Sequence, residues 1–479
     1  MGALKFTSET CNVFRETLCV KVWNARALAG QELAQLFKER KKMQRDKVSR
    51  RGFLKSAAAA SVAVAVGPSI VPASVVGRAG AVPPSDRILL GGIGIGGRGA
   101  HVMRWMMEED DVRMVAVCDV RKQRRDAVKE EVDQRYGDND CATYMDIREF
   151  LEERSDIDAV LIATGDRWHG PASIMAMRAG KDVFSEKPSS MTVAEGQQVV
   201  KAARRYDRVY QTCTQRLSEA HHIFCMEMAR TGRLGEVHTA YAHIAPWDDA
   251  YMTHDWRDPE PEPPREEVDW DAWLGPCPWR PYNSAYVGGG WRGVYDFHTS
   301  CIGEWGAHTF AQAQMGLDKL DTCPVEYQYV DNQTGDGMVC TFADGQRLIL
   351  SRGDRYWHGS CGERFDGDEG WAAAADGYSR PEVSSPSLLK EYRRVVDEYK
   401  ARTQRPMNHV RDFFDCVRTR RDPVANAEVM HRSMTTVHAA NICMWLRRDV
   451  RFDPDKEEFV DDPEANRLLS RAMREPWTV

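Results

Sequence analysis

Over 479 residues the chain has no Cys-x-x-Cys spacing and no apolar run approaching the roughly 20 residues needed to span a bilayer. Its 13 cysteines are odd in number and scattered, which excludes both a disulfide framework and a zinc ribbon. They are expected as small, buried apolar residues. An excess of positive charge is missing too. A formal charge of -7 argues against a general polyanion binder, because such binding rests on neutralising phosphates, so no nucleic-acid partner is expected. The basic run Arg418-Thr419-Arg420-Arg421 lies among acidic residues and reads as a solvated helix end. What is present, 42% hydrophobic and 29% charged residues, is the composition of a folded chain in water. The length allows two domains plus extras.

Residues Ser49-Arg50-Arg51-Gly52-Phe53-Leu54-Lys55 precede a short, mildly apolar stretch from Ser56 to Val66. Paired arginines, an aromatic-aliphatic step and such a stretch make up a twin-arginine signal. The flank before it is basic, as a signal n-region should be, and Ala79-Gly80-Ala81 offers a small-x-small cleavage site. Residues 57–66 carry no polar face at a 3.6-residue period, so an amphipathic helix is disfavoured. Residues 1–81 therefore read as an address, with Met43 expected as the true start. The expected location is periplasmic or otherwise exported, and the first partner is the twin-arginine export machinery. That route carries folded proteins, commonly around a cofactor, and it removes any need for disulfides.

After Pro83-Pro84 comes Arg87-Ile88-Leu89-Leu90-Gly91-Gly92-Ile93, which reads as a buried parallel strand. It leads into Gly94-Ile95-Gly96-Gly97-Arg98-Gly99 and a helix through Met106. In a G-x-G-x-x-G loop the first glycine allows the tight turn and the second lets the backbone approach a pyrophosphate. The third permits close helix-strand packing, and the helix amino terminus meets the negative charge. A second strand, Val112 to Cys118, ends at Asp119, where an acid should accept hydrogen bonds from an adenosine ribose. An acid there favours NAD by repelling a 2′-phosphate; Arg121, two residues on, keeps NADP open. Further strands at Ile157–Ala163 and Asp182–Phe184 alternate with a helix at Pro171–Ala179. Such alternation predicts a doubly wound α/β domain with its ligand at the carboxyl ends of the strands. Thr164, Asp166, Trp168 and His169 follow one such end, and Ser185-Glu186-Lys187-Pro188 the next.

From Arg87 onward the chain resembles the Gfo/Idh/MocA oxidoreductases. The resemblance rests on the glycine loop, Ala163-Thr164-Gly165-Asp166-Arg167-Trp168-His169, the triplet Glu186-Lys187-Pro188, and the acid-x-x-x-His of Glu304-Trp305-Gly306-Ala307-His308. It implies an N-terminal Rossmann domain, residues 85–212, and a C-terminal α+β domain, residues 213–479, with a large, mostly antiparallel open sheet. In this chain that sheet should begin near Gly235-Glu236-Val237 and continue through Val325–Val330, Gly337–Phe342 and Arg347–Ser351. Asp344-Gly345 is a hairpin turn signal, and helices at His409–Val417 and Glu428–Trp445 follow. The resemblance also implies a sheet that pairs subunits in a homo-oligomer, although no residue or spacing here identifies that surface.

By the same resemblance Lys187 and His308 are the catalytic pair. Removing hydride from a carbinol carbon requires the hydroxyl proton to leave too, and a histidine near the nicotinamide suits that task. A lysine beside it polarises the oxygen or relays the proton. Glu304 is expected to orient His308 and steady its charged form; the family usually carries Asp there. Gly165 departs from the common proline, and His298-Thr299-Ser300-Cys301 from a glycine-rich stretch. Cofactor contacts are expected from Gly94, Gly96, Gly97, Arg98, Gly99, Asp119, Thr164, His169, Glu186 and Lys187. His221-His222, His254-Asp255 and His431 lack the spacing of a known zinc or iron site, so no metal is expected. The run from Trp247 to Tyr295 holds Trp256, Trp270, Trp273, Trp279 and Trp291, and one or two of these rings are expected against a carbohydrate. The resulting expectation is an exported NAD(P)-dependent oxidoreductase acting on a sugar, polyol or related hydroxy compound. Two alternatives stay open: an NAD-dependent glycosidase working by transient oxidation and elimination, and a non-catalytic dinucleotide-binding protein.

Overall fold

Ile88–Ile93 is apolar without alternation, and it forms β1, nearly enclosed on both faces. Beside it lie β2 (Val112–Cys118), β3 (Ala142–Tyr144), β4 (Ala159–Ile162), β5 (Asp182–Ser185) and β6 (Tyr210–Thr212). All pair in parallel in the order β3-β2-β1-β4-β5-β6. The order reverses between β1 and β4, and there the strand ends open a crevice for a ligand. The computed structural model describes residues 82–244, 252–330, 338–351, 360–376 and 380–478. The twin-arginine segment, its cleavage site and Met43 lie outside the described residues. Among those residues no helix is long and apolar enough to cross a membrane. Every cysteine among them is buried and free of disulfides.

The helix after β4 runs from Asp166 to Arg178 with Pro171 inside it. The sequence reading started that helix at Pro171. Gly165 in extended conformation caps it, and Asp166 places a carboxylate in its first turn, where the unpaired N–H groups favour negative charge. Pro171, the sixth residue of the helix, lies past the first turn and has no N–H to donate to the Arg167 carbonyl. The next helix, Val193–Tyr206, begins with Thr192, whose hydroxyl accepts from the Glu195 N–H at 3.1 Å, an N-cap of the Ser/Thr-x-x-Glu kind.

The second sheet has nine strands in the order β13-β12-β11-β7-β10-β9-β8-β14-β15. They are β7 (Val237–His243), β8 (Glu326–Gln328), β9 (Met338–Thr341), β10 (Arg347–Ser351), β11 (Ser360–Gly367), β12 (Gly370–Asp376), β13 (Glu382–Val383), β14 (Val450–Asp453) and β15 (Glu458–Phe459). The pair β7 with β10 is parallel and the rest antiparallel. Between β9 and β10 the Asp344-Gly345 turn forms with Gly345 at φ +91°, a conformation open to glycine at little cost. The helices Ala220–Arg230, Ser300–Gly316 and Ala427–Leu446 bury one face of this sheet in a shared apolar core.

Two segments tie the sheets together. Val410, Phe413 and Phe414 of the helix His409–Thr419 pack into the core of the first sheet, and Arg411 reaches Asp111 at 2.8 Å. That helix was expected with the second domain alone. Val120 and Lys122, just past β2, exchange backbone hydrogen bonds with Asp269 and Glu267, which brings the tryptophan-rich segment over the ligand crevice.

Candidate active site

The glycine loop divides its work among its members. Gly94 sits at φ +69°, and a Cβ there would stand 2.3 Å from Thr164 Cγ2. A Cβ on Gly99 would meet the Ala163 Cβ at 2.6 Å, so bare backbone is what lets helix and strand touch. Gly96 and Gly97 have no atom within 4 Å of such a position. Their open side faces a cavity of about 480 Å³. The helix Gly97–Met107 begins there with no side-chain cap, so its first N–H groups are left for a pyrophosphate. A dinucleotide fits these residues.

Asp119 lines the same cavity from the end of β2. One of its oxygens accepts the Arg121 N–H at 2.9 Å. Burial pushes its carboxyl up to about 6, against the pull of that N–H and of Arg121, Arg124 and Arg125. Arg121 is anchored across the cavity, its Nη1 donating to the Val287 carbonyl at 3.1 Å. Arg167 forms another part of the wall; its guanidinium lies 3.6 Å over the Trp273 ring and its Nε donates to the Trp273 carbonyl at 2.9 Å. Its Nη1 is buried with no hydrogen-bond partner. A Cβ at Gly165 would stand 2.7 Å from that atom, so the family's proline ring would collide with this guanidinium. Trp273 and Trp291 are also in the wall, while Trp256 and Trp279 are exposed.

Lys187, just past β5, extends toward the helix Ser300–Gly316. Its ammonium is 3.8 Å from Glu304 Oε1 and 5.6 Å from the Trp305 ring centre. Glu304 also meets Arg292 at 3.5 Å and His298 Nε2 at 3.3 Å. Burial acts to raise the Glu304 carboxyl, but the His298 hydrogen bond, Lys187 and Arg292 together bring it down to about 2. Arg292 lines the cofactor cavity, so this cluster adjoins it.

His308 is buried, with Nδ1 2.9 Å from Thr214 Oγ1. Burial, followed by the positive charges of Arg216, Lys187 and Arg98, lowers it well below the ordinary imidazole value. It is thus unprotonated near pH 7, the form in which a base must start, although the same burial makes it a weaker one. Arg216 is buried behind it and ion-paired to Asp376.

Several expected roles move. Glu304 was expected to orient His308, one helical turn away; it meets Lys187, Arg292 and His298 instead, while Thr214 holds His308. His169 was expected at the cofactor. It is turned inward, with Nδ1 2.9 Å from the Pro188 carbonyl and Nε2 3.2 Å from that of Thr164, and so it clips the ends of β4 and β5 together. Glu186 accepts from Arg98 Nε at 3.1 Å and from the Lys187 N–H at 3.1 Å, which fixes the loop instead of reaching the cavity. Thr164 and Arg98 do line the cavity. No metal was expected, yet the fold draws Glu219, His221 and His222 together. Thr214 and Arg292 went unnoticed, each being a lone residue outside any spaced motif, and Arg167 stood within the Ala163–His169 segment with no role of its own assigned. His298 lay in a stretch already unusual for the family.

Two family models match the chain. One, described as an oxidoreductase family NAD-binding Rossmann fold, covers residues 88–213; the other, an oxidoreductase family C-terminal alpha/beta domain, covers residues 242–479. A "Glycosyl hydrolase family 109 protein" of Shewanella baltica is 31% identical over 234 residues, 44% of this chain and 50% of that protein. An "Alpha-N-acetylgalactosaminidase" of Shewanella oneidensis is 30% identical over the same shares. The chain thus spans about half the length of the curated relatives it matches. Among solved structures, a WlbA dehydrogenase of Chromobacterium violaceum, crystallised with NADH and UDP-GlcNAcA, superposes with TM-score 0.55 at 16% identity, covering 77% of this chain and 96% of that one. A myo-inositol 2-dehydrogenase of Lactobacillus plantarum superposes with TM-score 0.52 at 15% identity, covering 77% and 100%.

Proposed function

Because the chain belongs to the Gfo/Idh/MocA oxidoreductase family, we propose that it transfers hydride between NAD, or NADP, and a carbinol carbon of a sugar, polyol or related hydroxy compound. The observation that carries this reading is the helix Ser300–Gly316, which sets Glu304 3.8 Å from Lys187 and, one turn on, the buried His308 with Nδ1 2.9 Å from Thr214. When bound, the nicotinamide accepts or returns the hydride. The glycine loop and Asp119 bind the dinucleotide at its phosphates and ribose. His308 takes the hydroxyl proton on Nε2, since Nδ1 is engaged by Thr214. Lys187 stabilises the oxygen as it loses that proton, and Glu304 holds the lysine ammonium in place.

The relatives named as glycosyl hydrolases support a second reading on the same residues. There the sugar is oxidised transiently, the carbon beside the new carbonyl loses a proton as elimination breaks the glycosidic bond, water adds in place of the aglycone, and the hydride is returned. Export by the twin-arginine route on Arg50-Arg51, and a homo-oligomer formed through the second sheet, belong to the proposal as well. The test is to add a panel of sugars and glycosides to the purified chain while recording nicotinamide absorbance and products. A reduced-nicotinamide band with one sugar supports the oxidoreductase. A released aglycone with no net redox change supports the glycosidase. Absence of any bound nucleotide, supplied or retained, overturns both.

A further inference from the structure

Apart from the residues assigned above, the turn into the helix Ala220–Arg230 gathers three donor groups. Glu219 Oε2 lies 3.8 Å from His221 Nε2 and 3.9 Å from His222 Nε2. One ligand atom from each residue falls within 4.8 Å of the others. His222 has 0% exposure, and its Nε2, which faces this cluster, has no hydrogen-bond partner. An imidazole nitrogen enclosed without a partner is costly. The other nitrogen is well held: Nδ1 lies 2.9 and 3.0 Å from the two oxygens of the equally enclosed Glu363. Gln312 stands at the same nitrogen at 2.8 Å, and turning its amide over offers the unpartnered Oε1 to the N–H. One nitrogen left bare and the other backed by a carboxylate is the arrangement of a metal-ligating histidine.

We propose that Glu219, His221 and His222 bind one divalent transition-metal ion of the zinc class. Two imidazoles and a carboxylate form the borderline nitrogen and oxygen set that such ions take, and three protein ligands leave a position for water or a substrate oxygen. Bonds of about 2.0–2.2 Å set tetrahedral donors roughly 3.3 Å apart. The observed separations exceed that by about half an ångström or more, a contraction open to Glu219 and His221, whose side chains are 39% and 17% exposed. Glu219 also lines a cavity of about 280 Å³, which gives an ion its entry path. Arg216, the nearby cation, is already matched by Asp376. Gln312 lies one turn, about 6 Å of helix, beyond His308, so the ring of His222 and the proposed proton acceptor are linked through neighbouring positions of Ser300–Gly316. The proposal stands whether or not His308 serves hydride chemistry.

The test titrates the full chain, stripped with a chelator, with cobalt(II) alone and follows the visible bands of four-coordinate cobalt. Zinc is then added in competition. The expected result is a single saturable ion, displaced by zinc, with binding weaker by at least about tenfold in Glu219→Gln and in His221→Gln. Both side chains are partly exposed, and circular dichroism checks that each variant keeps the fold. No saturable binding by the parent chain overturns the proposal. So does an unchanged affinity in both folded variants, which puts the ion elsewhere.

Discussion

Glu304 accepts a hydrogen bond from His298 Nε2 at 3.3 Å, and the far side of the ring fixes its direction. His298 Nδ1 already accepts the Gly293 N–H at 3.0 Å, so the ring proton belongs on Nε2. The carboxylate's second oxygen faces Lys187 at 3.8 Å and Arg292 at 3.5 Å. A glycine-rich turn, an interior histidine and a strand-end lysine therefore meet at one carboxylate.

That carboxylate should leave a mark on acid stability. Its folded value of about 2 lies below the ordinary 4.5, so its contribution is present above the unfolded value and is lost as pH falls through about 2. Glu304→Gln removes the contribution. Urea midpoints measured at pH 6 and pH 3 should fall further in the parent chain than in the variant. Equal falls would show that the ion pairs add nothing to stability.

Asp119 has the opposite sign. Its folded value of about 6 lies above the ordinary 3.8; the favourable protonated state is fully present below the unfolded value and lost as pH rises through about 6. Without cofactor, Asp119→Asn should therefore melt higher than the parent at pH 8, with little or no advantage at pH 4. Removing the negative charge should also raise the NADP to NAD affinity ratio by at least about tenfold. Direct titration with both dinucleotides checks that ratio.

Lys187→Met and His308→Asn should each lower turnover by about 10² to 10⁴ while the chain still binds nicotinamide. Equilibrium binding and single-turnover rates separate the two quantities. Turnover unchanged in Lys187→Met would remove this lysine from the mechanism and favour a purely binding role for the domain.

The glycine loop gives a paired prediction. A Cβ added at Gly96 meets no atom within 4 Å, so in Gly96→Ala the fold should melt within about 2 °C of the parent while dinucleotide affinity falls at least about tenfold. Gly94→Ala forces a side chain into a positive φ and against Thr164, and should destabilise by about 1–3 kcal/mol. Thermal melts with and without NAD distinguish the two cases.

Much of the cofactor half was legible because its signals are local. A strand, a glycine loop, a helix and Asp119 follow one another within a few turns of chain, each with a backbone reason for its residue type. The catalytic half was legible only as single residues. Lys187 follows a strand of the first sheet and Glu304 lies on a helix packed against the second, so their meeting depends on where the helix Ser300–Gly316 is laid down. The four-residue spacing of Glu304 and His308 suggested a partnership, but neighbours on a helix face need not turn toward each other. Here tertiary charges at Lys187 and Arg292 draw the carboxylate away. His169 shows the converse: a polar residue at a strand end looked cofactor-facing, and two backbone carbonyls instead bind its ring in the interior.

The cofactor cavity is walled by segments far apart in the chain: the loops after β1, β2 and β4, the stretch from Val287 to Arg292, and Trp477, whose ring packs edge-on against Trp168 at 5.1 Å. A nucleotide held by several distant segments at once must break contacts to all of them to leave, so its residence time depends on how firmly each wall is fixed. The stretch with Gly288, Gly289 and Gly290 is tied down by Arg121 at the Val287 carbonyl, by Arg257 at the Gly290 carbonyl and by Arg292 at Glu304. Together these contacts act as a latch on the exchange clock. A tight latch suits an enzyme that stores a hydride between two half-reactions, and a loose one suits an enzyme that trades its nucleotide each cycle.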